Sequence, residues 1–215
     1  MLRRLLIIGA GGHAISVSDV ADSSGYTTLG FVDDTGTGIS LLGLVATDYD
    51  LDDHVRAGGL IAIAIGDNYD RERVWNSRFA HVPLDQFPAL VHPSAVVSSR
   101  AQLGPGCVIH AGVVVGPLAN VGAHSILNSA SVLDHESVLK DFASLAPGAV
   151  VGGRSTIGER SAVGLGASVK HGISVGDDTI IGANSYVHRD ISEELVAYGS
   201  PARVVRSREP GDTYL

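Results

Sequence analysis

The sequence is poor in cysteine, in aromatic residues and in positive charge, and each shortage excludes a class of protein. One cysteine in 215 residues leaves no internal disulfide to form and fits a reducing, cytoplasmic setting. Lysine and arginine number 15 against 23 acidic residues, and the formal net charge of −8 argues against nucleic acid as the main partner. No stretch approaches about eighteen uncharged apolar residues, so the sequence predicts no membrane span.

Aromatic residues make up 5% of the chain whereas glycine occurs 27 times, a combination that suits a narrow interior. An aliphatic residue also recurs at every sixth position, seventeen times without interruption. A period of six fits neither the period of about 3.6 of a helix nor that of about 2 of a simple strand. The series consists of Val91, Val97, Leu103, Ile109, Val115, Val121, Leu127, Leu133, Leu139, Leu145, Val151, Ile157, Val163, Val169, Val175, Ile181 and Val187.

This repeat predicts a solenoid. Each short extended segment points its aliphatic side chain inward, and the next residue, often glycine, opens a corner. Three segments close a triangular coil of about eighteen residues, and successive coils stack roughly 4.8 Å apart as parallel strands. Seventeen units make nearly six coils around an inner column of aliphatic side chains, which needs a cover at each end. Cys107 falls on a small-residue position of the repeat and is expected to pack inside.

The first ninety residues follow a different pattern, in which strands alternate with a glycine loop and helices. The apolar runs and the helical periodicity predict strands near residues 5–8, 26–32, 60–65 and 82–87, and helices near residues 14–23 and 70–79. This alternation implies a parallel sheet with crossover helices, about half of a doubly wound dinucleotide-binding unit. The chain is therefore divided into an α/β domain (residues 1–90), a β-helix (residues 91–191) and a C-terminal cap and tail (residues 192–215).

Three ends of the predicted strands carry residues suited to a nucleotide. The loop Gly9-Ala10-Gly11-Gly12-His13-Ala14 matches G-x-G-x-x-G/A, and Asp33 and Asp34 follow the second strand. The third strand leads into Gly66. Ligands of parallel sheets bind beyond the carboxyl ends of the strands, with phosphates at a helix N-terminus. A dinucleotide, a single nucleotide and a tight packing turn without a ligand are all compatible with this pattern.

Several motifs together resemble one family. G-A-G-G-H-A at Gly9, F-V-D-D at Phe31, A-I-G-D-N at Ala64, N-S-A-S-V-L-D-H-E at Asn128 and the tail G-S-P-A-R at Gly199 are similar to those of hexapeptide-repeat sugar acetyltransferases. The likeness covers residues 4–206. It is to the nucleotide-sugar N-acetyltransferases of the bacillosamine and perosamine pathways, and equally to the sialic-acid O-acetyltransferase branch.

The resemblance implies a left-handed parallel β-helix and a homotrimer with the acetyl-CoA cleft between neighbouring subunits. It also implies that the N-terminal domain holds the nucleotide of a nucleotide-linked amino sugar. The positions that match the family's substrate-binding residues are Gly11, Gly12, His13, Asp33, Asp34 and Gly66.

Acetyl transfer to an amine needs a group that accepts a proton, and histidine suits this role because its pKa lies near neutrality. Nine histidines compete, and from the residues alone His135 stands out only through its two carboxylate neighbours, Asp134 and Glu136. The resemblance implies that His135 is the general base and that Glu136 orients and activates it. It also makes Asn128 a contact of the base or the substrate. No metal is expected, since the stacked pair His92 and His110 lacks a carboxylate in register.

The sequence departs from the family at one position. Family members commonly carry a second histidine nine residues after the base, near the thioester carbonyl, and here that residue is Ser144. A hydroxyl also donates a hydrogen bond, so Ser144 is expected to contact acetyl-CoA. Leu165 and Ala183 match positions that contact acetyl-CoA in the family.

The sequence thus predicts an acetyl-CoA-dependent N-acetyltransferase that acts on a nucleotide-linked amino sugar. O-acetylation of a sugar of the sialic-acid type is one alternative, because the same base would serve it. A non-catalytic nucleotide-sugar-binding scaffold is a second alternative, and NAD-dependent oxidoreduction, suggested by the glycine loop alone, is a third.

Overall fold

The computed structural model describes residues 3–33 and 51–213. Within residues 3–33 and 51–90 the N-terminal domain contains three parallel strands, β1 (Arg3–Ile8), β2 (Tyr26–Val32) and β3 (Leu60–Ile63), in the order β2-β1-β3. The helices are α1 (Gly12–Ser23), α2 (Leu51–Arg56) and α3 (Asn68–Val74), and a π-helical turn (Trp75–Phe79) continues α3. These elements confirm the three predicted strands before residue 70 and both predicted helices.

The predicted fourth strand near residues 82–87 is wrong. Residues Leu84–Gln86 form a 3₁₀ turn, in which the N–H of Gln86 donates to the carbonyl of Pro83. Pro83 fixes its own φ and removes a donor that a central strand would need. Phe87 is buried, but its ring packs edge-on against Trp75, so the apolar residues here fill a core instead of a sheet.

Seventeen strands of two residues build the β-helix, and each of the first fourteen pairs in parallel with the strand eighteen residues further on. They are β4 (Leu90–Val91), β5 (Val96–Val97), β6 (Gln102–Leu103), β7 (Val108–Ile109), β8 (Val114–Val115), β9 (Asn120–Val121), β10 (Ile126–Leu127), β11 (Val132–Leu133), β12 (Val138–Leu139), β13 (Ser144–Leu145), β14 (Val150–Val151), β15 (Thr156–Ile157), β16 (Ala162–Val163), β17 (Ser168–Val169), β18 (Ser174–Val175), β19 (Ile180–Ile181) and β20 (Tyr186–Val187). The result is the parallel β-helix that the repeat predicts, in the left-handed form that the family resemblance implies.

The interior is the aliphatic column that the period of six predicts. From Ile109 to Val187 every sixth residue is buried, and the first three members of the series pack partly buried against the same core. The small residues at the corners fill the space between coils, as Ala143 and Ala149 do. Cys107 lies among them, and burial raises the pKa of its thiol to about 12, so this residue packs inside as expected.

The three faces of the prism differ in what their outward residues meet. The first face (β4, β7, β10, β13, β16 and β19) is apolar and lies partly under the N-terminal domain. The second face (β5, β8, β11, β14, β17 and β20) presents exposed Val96, Val114 and Val150. The third face (β6, β9, β12, β15 and β18) begins with the exposed polar residues Gln102 and Asn120. The second face is thus the apolar one that stays open to solvent.

A hairpin extends the first face at the C-terminal end. Strand β21 (Leu195–Gly199) pairs in parallel with β19 and antiparallel with β22 (Ala202–Ser207). Ala197 and Ala202 are buried against the last coil. The hairpin therefore helps to cover the aliphatic column where the repeat ends.

Candidate active site

A cavity of about 430 Å³ lies where the N-terminal domain meets the corner between the first and second faces. We call it the corner cavity. Six of the residues singled out in the sequence line it, and they come from both domains: His13, Gly66, Asn128, Ser144, Leu165 and Ala183. Apolar neighbours such as Ile126 and Ile180 complete its floor.

The glycine loop lies at the carboxyl edge of the three-stranded sheet. The N–H of Gly9 donates to the carbonyl of Val32 at 2.7 Å, and the φ of Gly9 is +108°. A Cβ at Gly9 would lie 2.9 Å from the carbonyl oxygen of Ala64, so this turn requires glycine. Gly11 and Gly12 are exposed at the start of α1, where backbone N–H groups favour an anion.

Asp33 directly follows β2 and is half-buried at the same edge of the sheet. Gly11, Gly12 and Asp33 lie outside the lining of the corner cavity, whereas His13 and Gly66 are part of it. Asp34, the remaining predicted substrate contact, lies outside the described residues.

His13 is held as a neutral imidazole. Burial, together with the charges of His110 and Arg71, lowers its pKa to about 4. Its ring packs against that of His110 with 5.8 Å between centroids, and burial also lowers the pKa of His110 to about 4. Nε2 of His13 is buried and has no hydrogen-bond partner within the described part of the chain. Near neutral pH the N-terminal domain therefore lines the cavity with the uncharged imidazole of His13.

The β-helix side of the cavity is built from residues stacked in register. Ser144 belongs to β13 and lies between Ile126 and Ala162 of the neighbouring coils. Leu165 and Ala183 occupy equivalent corner positions one coil apart, and Leu165 is exposed. These contacts agree with the eighteen-residue register inferred from the sequence.

Two residues that the sequence analysis did not assign join the domains behind the cavity. Arg71 and Asn68, both buried, lie in α3. Arg71 donates to the carbonyl of His124 at 2.8 Å, to that of Phe142 at 2.7 Å and to Oδ1 of Asn68 at 2.7 Å. Asn68 in turn donates to Oγ of Ser144 at 3.1 Å. The signal that the sequence offers for them is position alone, since Asn68 and Arg71 lie in the helix that follows the third strand.

His135 and Glu136 lie at a different corner, between the second and third faces. Nδ1 of His135 lies 3.0 Å from Oε2 of Glu136, and Asp134 accepts from the backbone N–H of His135 at 2.7 Å. The same Glu136 oxygen lies 3.5 Å from Nε of Arg154. A carboxylate beside Nδ1 accepts a hydrogen bond from Nδ1–H and so leaves the unprotonated Nε2 as the acceptor.

The structure thus divides the predicted site residues between two places on one molecule. Ser144 lies on the first face and Asn128 at the corner between the first and second faces, whereas His135 lies at the opposite edge of the second face. One side of the prism spans about six residues, or roughly 20 Å at the rise of a strand. Within one subunit, His135 therefore does not reach the corner cavity.

The described residues contain no group of three or more histidine, cysteine, aspartate or glutamate side chains arranged to hold a metal ion. Nor does any helix in residues 3–33 and 51–213 have the length and apolar character to cross a membrane.

This combination of fold and site defines the class. A three-stranded parallel sheet with flanking helices joined to a hexapeptide β-helix, with a cavity where the two meet, is typical of hexapeptide-repeat acyltransferases. The PglD N-terminal domain family matches residues 4–77, and the hexapeptide repeat of succinyl-transferase matches residues 101–117 and 149–189. No curated protein matches the chain.

Solved structures that are more than 30% identical to this chain include sugar N-acetyltransferases. A histidine-to-alanine variant of GDP-perosamine N-acetyltransferase from Caulobacter crescentus, in complex with CoA and GDP-perosamine, is 33% identical, with a TM-score of 0.87 over 94% of this chain and 97% of that chain. The acetyltransferase domain of PglB from Neisseria gonorrhoeae FA1090, in complex with acetyl coenzyme A, is 32% identical, with a TM-score of 0.86 over 95% and 100%. This chain belongs to their family of sugar acetyltransferases and is an acyltransferase.

A further structure supports the fold alone. WeeI from Acinetobacter baumannii AYE is 21% identical, with a TM-score of 0.79 over 94% of this chain and 99% of that chain.

Proposed function

We propose that this chain is a cytoplasmic enzyme that transfers an acetyl group from acetyl-CoA to the amine of a nucleotide-linked amino sugar. The corner cavity carries this proposal, because it joins His13 and Gly66 of the nucleotide-type sheet to Leu165 and Ala183 of the β-helix. A sugar attached to a nucleotide at the sheet edge would thus meet a thioester lying along the corner. The relatives solved with CoA and GDP-perosamine hold the two kinds of ligand that this arrangement requires.

The chemistry is a direct transfer. The amine nitrogen attacks the thioester carbonyl carbon, a C–N bond forms, and the C–S bond breaks to release the CoA thiolate. The amine must lose a proton during this step, and Nε2 of His135 accepts that proton. Glu136 accepts the hydrogen bond from Nδ1–H of the same ring and so keeps Nε2 free to act. The proton then neutralises the leaving sulfur.

His135 acts on the cavity of a neighbouring subunit, because within one subunit a whole side of the prism separates them. The apolar second face supports this arrangement, since it lies between the two corners and presents stacked valines to solvent. An exposed apolar patch of this kind marks a contact surface. A contact of this kind closes into a ring, and the family resemblance favours a ring of three subunits, in which every interface pairs one subunit's His135 with the next subunit's corner cavity.

A transfer assay tests the proposal. The purified protein, acetyl-CoA and GDP-perosamine are mixed, and both thiol release and the N-acetylated product are measured. The matched control is the same nucleotide sugar with a hydroxyl in place of the amine. Product from the amine alone supports N-acetylation, product from the hydroxyl supports the O-acetyltransferase alternative, and ligand binding without thiol release supports a scaffold. If GDP-perosamine is inert, a thermal-shift screen of UDP-, dTDP- and GDP-linked amino sugars selects the next substrate.

A further inference from the structure

The structure contains a chain of hydrogen bonds that ends at the corner cavity. It begins at the buried guanidinium of Arg71, which donates to Oδ1 of Asn68 at 2.7 Å. The amide nitrogen of Asn68 donates to Oγ of Ser144 at 3.1 Å. Arg71 is 1% exposed and Asn68 is 0% exposed, so water does not compete for these bonds. We call this series the Arg71–Asn68–Ser144 chain.

The orientation of the Asn68 amide is fixed from both sides. Because a guanidinium has donors and no acceptor, the atom of Asn68 that faces Arg71 must be the oxygen. The nitrogen then faces the carbonyls of Arg160 and Ser161, each at 3.1 Å, together with Ser144. A reversed amide would set its oxygen against two carbonyl oxygens and its nitrogen against the guanidinium.

This orientation decides what the Ser144 hydroxyl does. Its oxygen accepts from Asn68, and a hydroxyl that accepts in this way still has one proton to donate. No hydrogen bond donated by Ser144 occurs within the described part of the chain. Ser144 lines the corner cavity, where it is 9% exposed. The proton of the hydroxyl is therefore available to a ligand carbonyl in that cavity.

We propose that Asn68 is a positioning residue that commits the Ser144 hydroxyl to donate to the thioester carbonyl oxygen of bound acetyl-CoA, with Arg71 polarising the chain from its buried end. No proton is transferred along it. The hydrogen bond strengthens as the carbonyl oxygen gains negative charge during attack, which lowers the barrier. This inference rests on the proposed function, because it takes acetyl-CoA to be the occupant of the cavity.

The first test observes the carbonyl directly and needs no sugar substrate. The ¹³C resonance of acetyl-CoA labelled at the thioester carbonyl is recorded on the full-length protein. A hydrogen bond to the oxygen should move it downfield of free acetyl-CoA. Ser144→Ala should abolish the shift while the ligand still binds, and Ser144→Thr, which keeps the hydroxyl, should restore it. An unchanged shift in Ser144→Ala would overturn the proposal.

The second test addresses Asn68. Asn68→Asp keeps the shape and the bond to Arg71, but it places a carboxylate oxygen beside Ser144. The hydroxyl then donates to that oxygen, so the downfield shift should disappear although Ser144 is present. In turnover, Ser144→Ala and Asn68→Asp should each lower kcat by roughly tenfold to a hundredfold, with a smaller change in KM for acetyl-CoA.

A double variant separates positioning from folding. If Asn68 acts through Ser144, Asn68→Asp should cause no further loss of kcat in the Ser144→Ala background, whereas additive losses would contradict the proposal. If Asn68→Asp does not fold, Asn68→Ala enters the same cycle, and the Ser144 pair of variants still decides the donor role. Failure of acetyl transfer by the wild-type protein, with the carbonyl shift intact, would contradict the proposed function and leave this hydrogen bond standing.

Discussion

The backbone of Gly153 lies directly against the imidazole of His135. A Cβ added to Gly153 would lie 2.4 Å from Nε2 and 2.6 Å from Cε1 of His135, closer than atoms can pack. Gly153 belongs to the coil that follows His135 at the same corner and does not have a positive φ, so alanine suits its backbone. Glycine here therefore makes room for the ring that carries the proposed base.

Gly153→Ala should displace His135 and lower activity with little loss of stability. The imidazole sits at the end of a rotatable side chain and is half-exposed, so it swings away at small cost, whereas the proton acceptor leaves its position. We expect kcat to fall at least about tenfold, with a small change in melting temperature. In the His135→Ala background the same substitution should have no further effect on kcat. Full activity of Gly153→Ala would contradict the claim that the position of the His135 ring determines the rate.

His135→Ala should lower kcat by about 10²–10⁴, the usual contribution of a general base, while acetyl-CoA and the nucleotide sugar still bind. Calorimetry measures the binding of both ligands to the His135→Ala variant, and release of the CoA thiol measures its turnover. The Caulobacter crescentus relative, with one histidine replaced, was solved with both CoA and GDP-perosamine, which supports retained binding.

Mixed trimers test whether the site is shared between subunits. Inactive His135→Ala is unfolded and refolded together with a variant whose corner cavity is blocked, such as Ala183→Trp. An interface is complete when its His135 comes from the Ala183→Trp chain and its open cavity comes from the His135→Ala chain. In an equal, random mixture about a quarter of the interfaces meet both conditions, so about a quarter of the wild-type activity should return. No recovery, with mixed trimers shown to form, would mean that each subunit works alone.

The exposed apolar second face is the surface that we expect to hold the proposed trimer together. Val114→Glu places a charge within the exposed apolar stripe and should shift the protein from trimer to monomer, because burial of an unpaired charge is costly. Asn120→Glu introduces the same group at the exposed polar third face and serves as the matched control. Sedimentation velocity measures both. A trimer that tolerates Val114→Glu would place the interface elsewhere.

His124 packs among the rings of Trp75, Phe87 and Phe142, and its burial there makes the stability of the protein depend on pH. His124 is 2% exposed, stacks on Phe142 with 5.4 Å between centroids, and neither ring nitrogen has a hydrogen-bond partner among the described residues. Burial lowers its pKa from 6.5 to about 3. Between these two pKa values His124 is protonated in the unfolded chain and neutral in the folded protein, so the free energy of unfolding falls as the pH drops below about 6.5.

At pH 5 this difference costs about 2 kcal/mol relative to pH 8. His124→Phe should remove that part of the pH dependence, measured by urea unfolding at both pH values. His13 and His110, whose pKa values burial also lowers, should keep the remainder. Phenylalanine at the exposed His81 is the control and should leave the wild-type pH dependence unchanged. An undiminished loss of stability in His124→Phe would contradict the assignment.

Local chemistry explains which parts of the fold were predictable. The hexad series fixes both the inward column and the eighteen-residue register, because an error of one residue would turn a valine such as Val151 out of the core. The strand predicted near Val82 and Phe87 was wrong, since a short segment that contains Pro83 and ends before Pro88 suits a turn as well as a strand. The role of Asn68 was not readable, because its partner Ser144 lies 76 residues away along the chain.

The sequence by itself determined the β-helix, the glycine loop and the presence of two carboxylates beside His135, because periodic burial, backbone freedom and neighbouring charge are local properties. Only the tertiary structure decided that His13 and Ser144 share one cavity while His135 lies across a face of the prism. It also decided that Arg71 and Asn68 stand behind Ser144. Those relations depend on how the N-terminal domain packs against the β-helix, and this packing joins residues that no spacing along the chain connects.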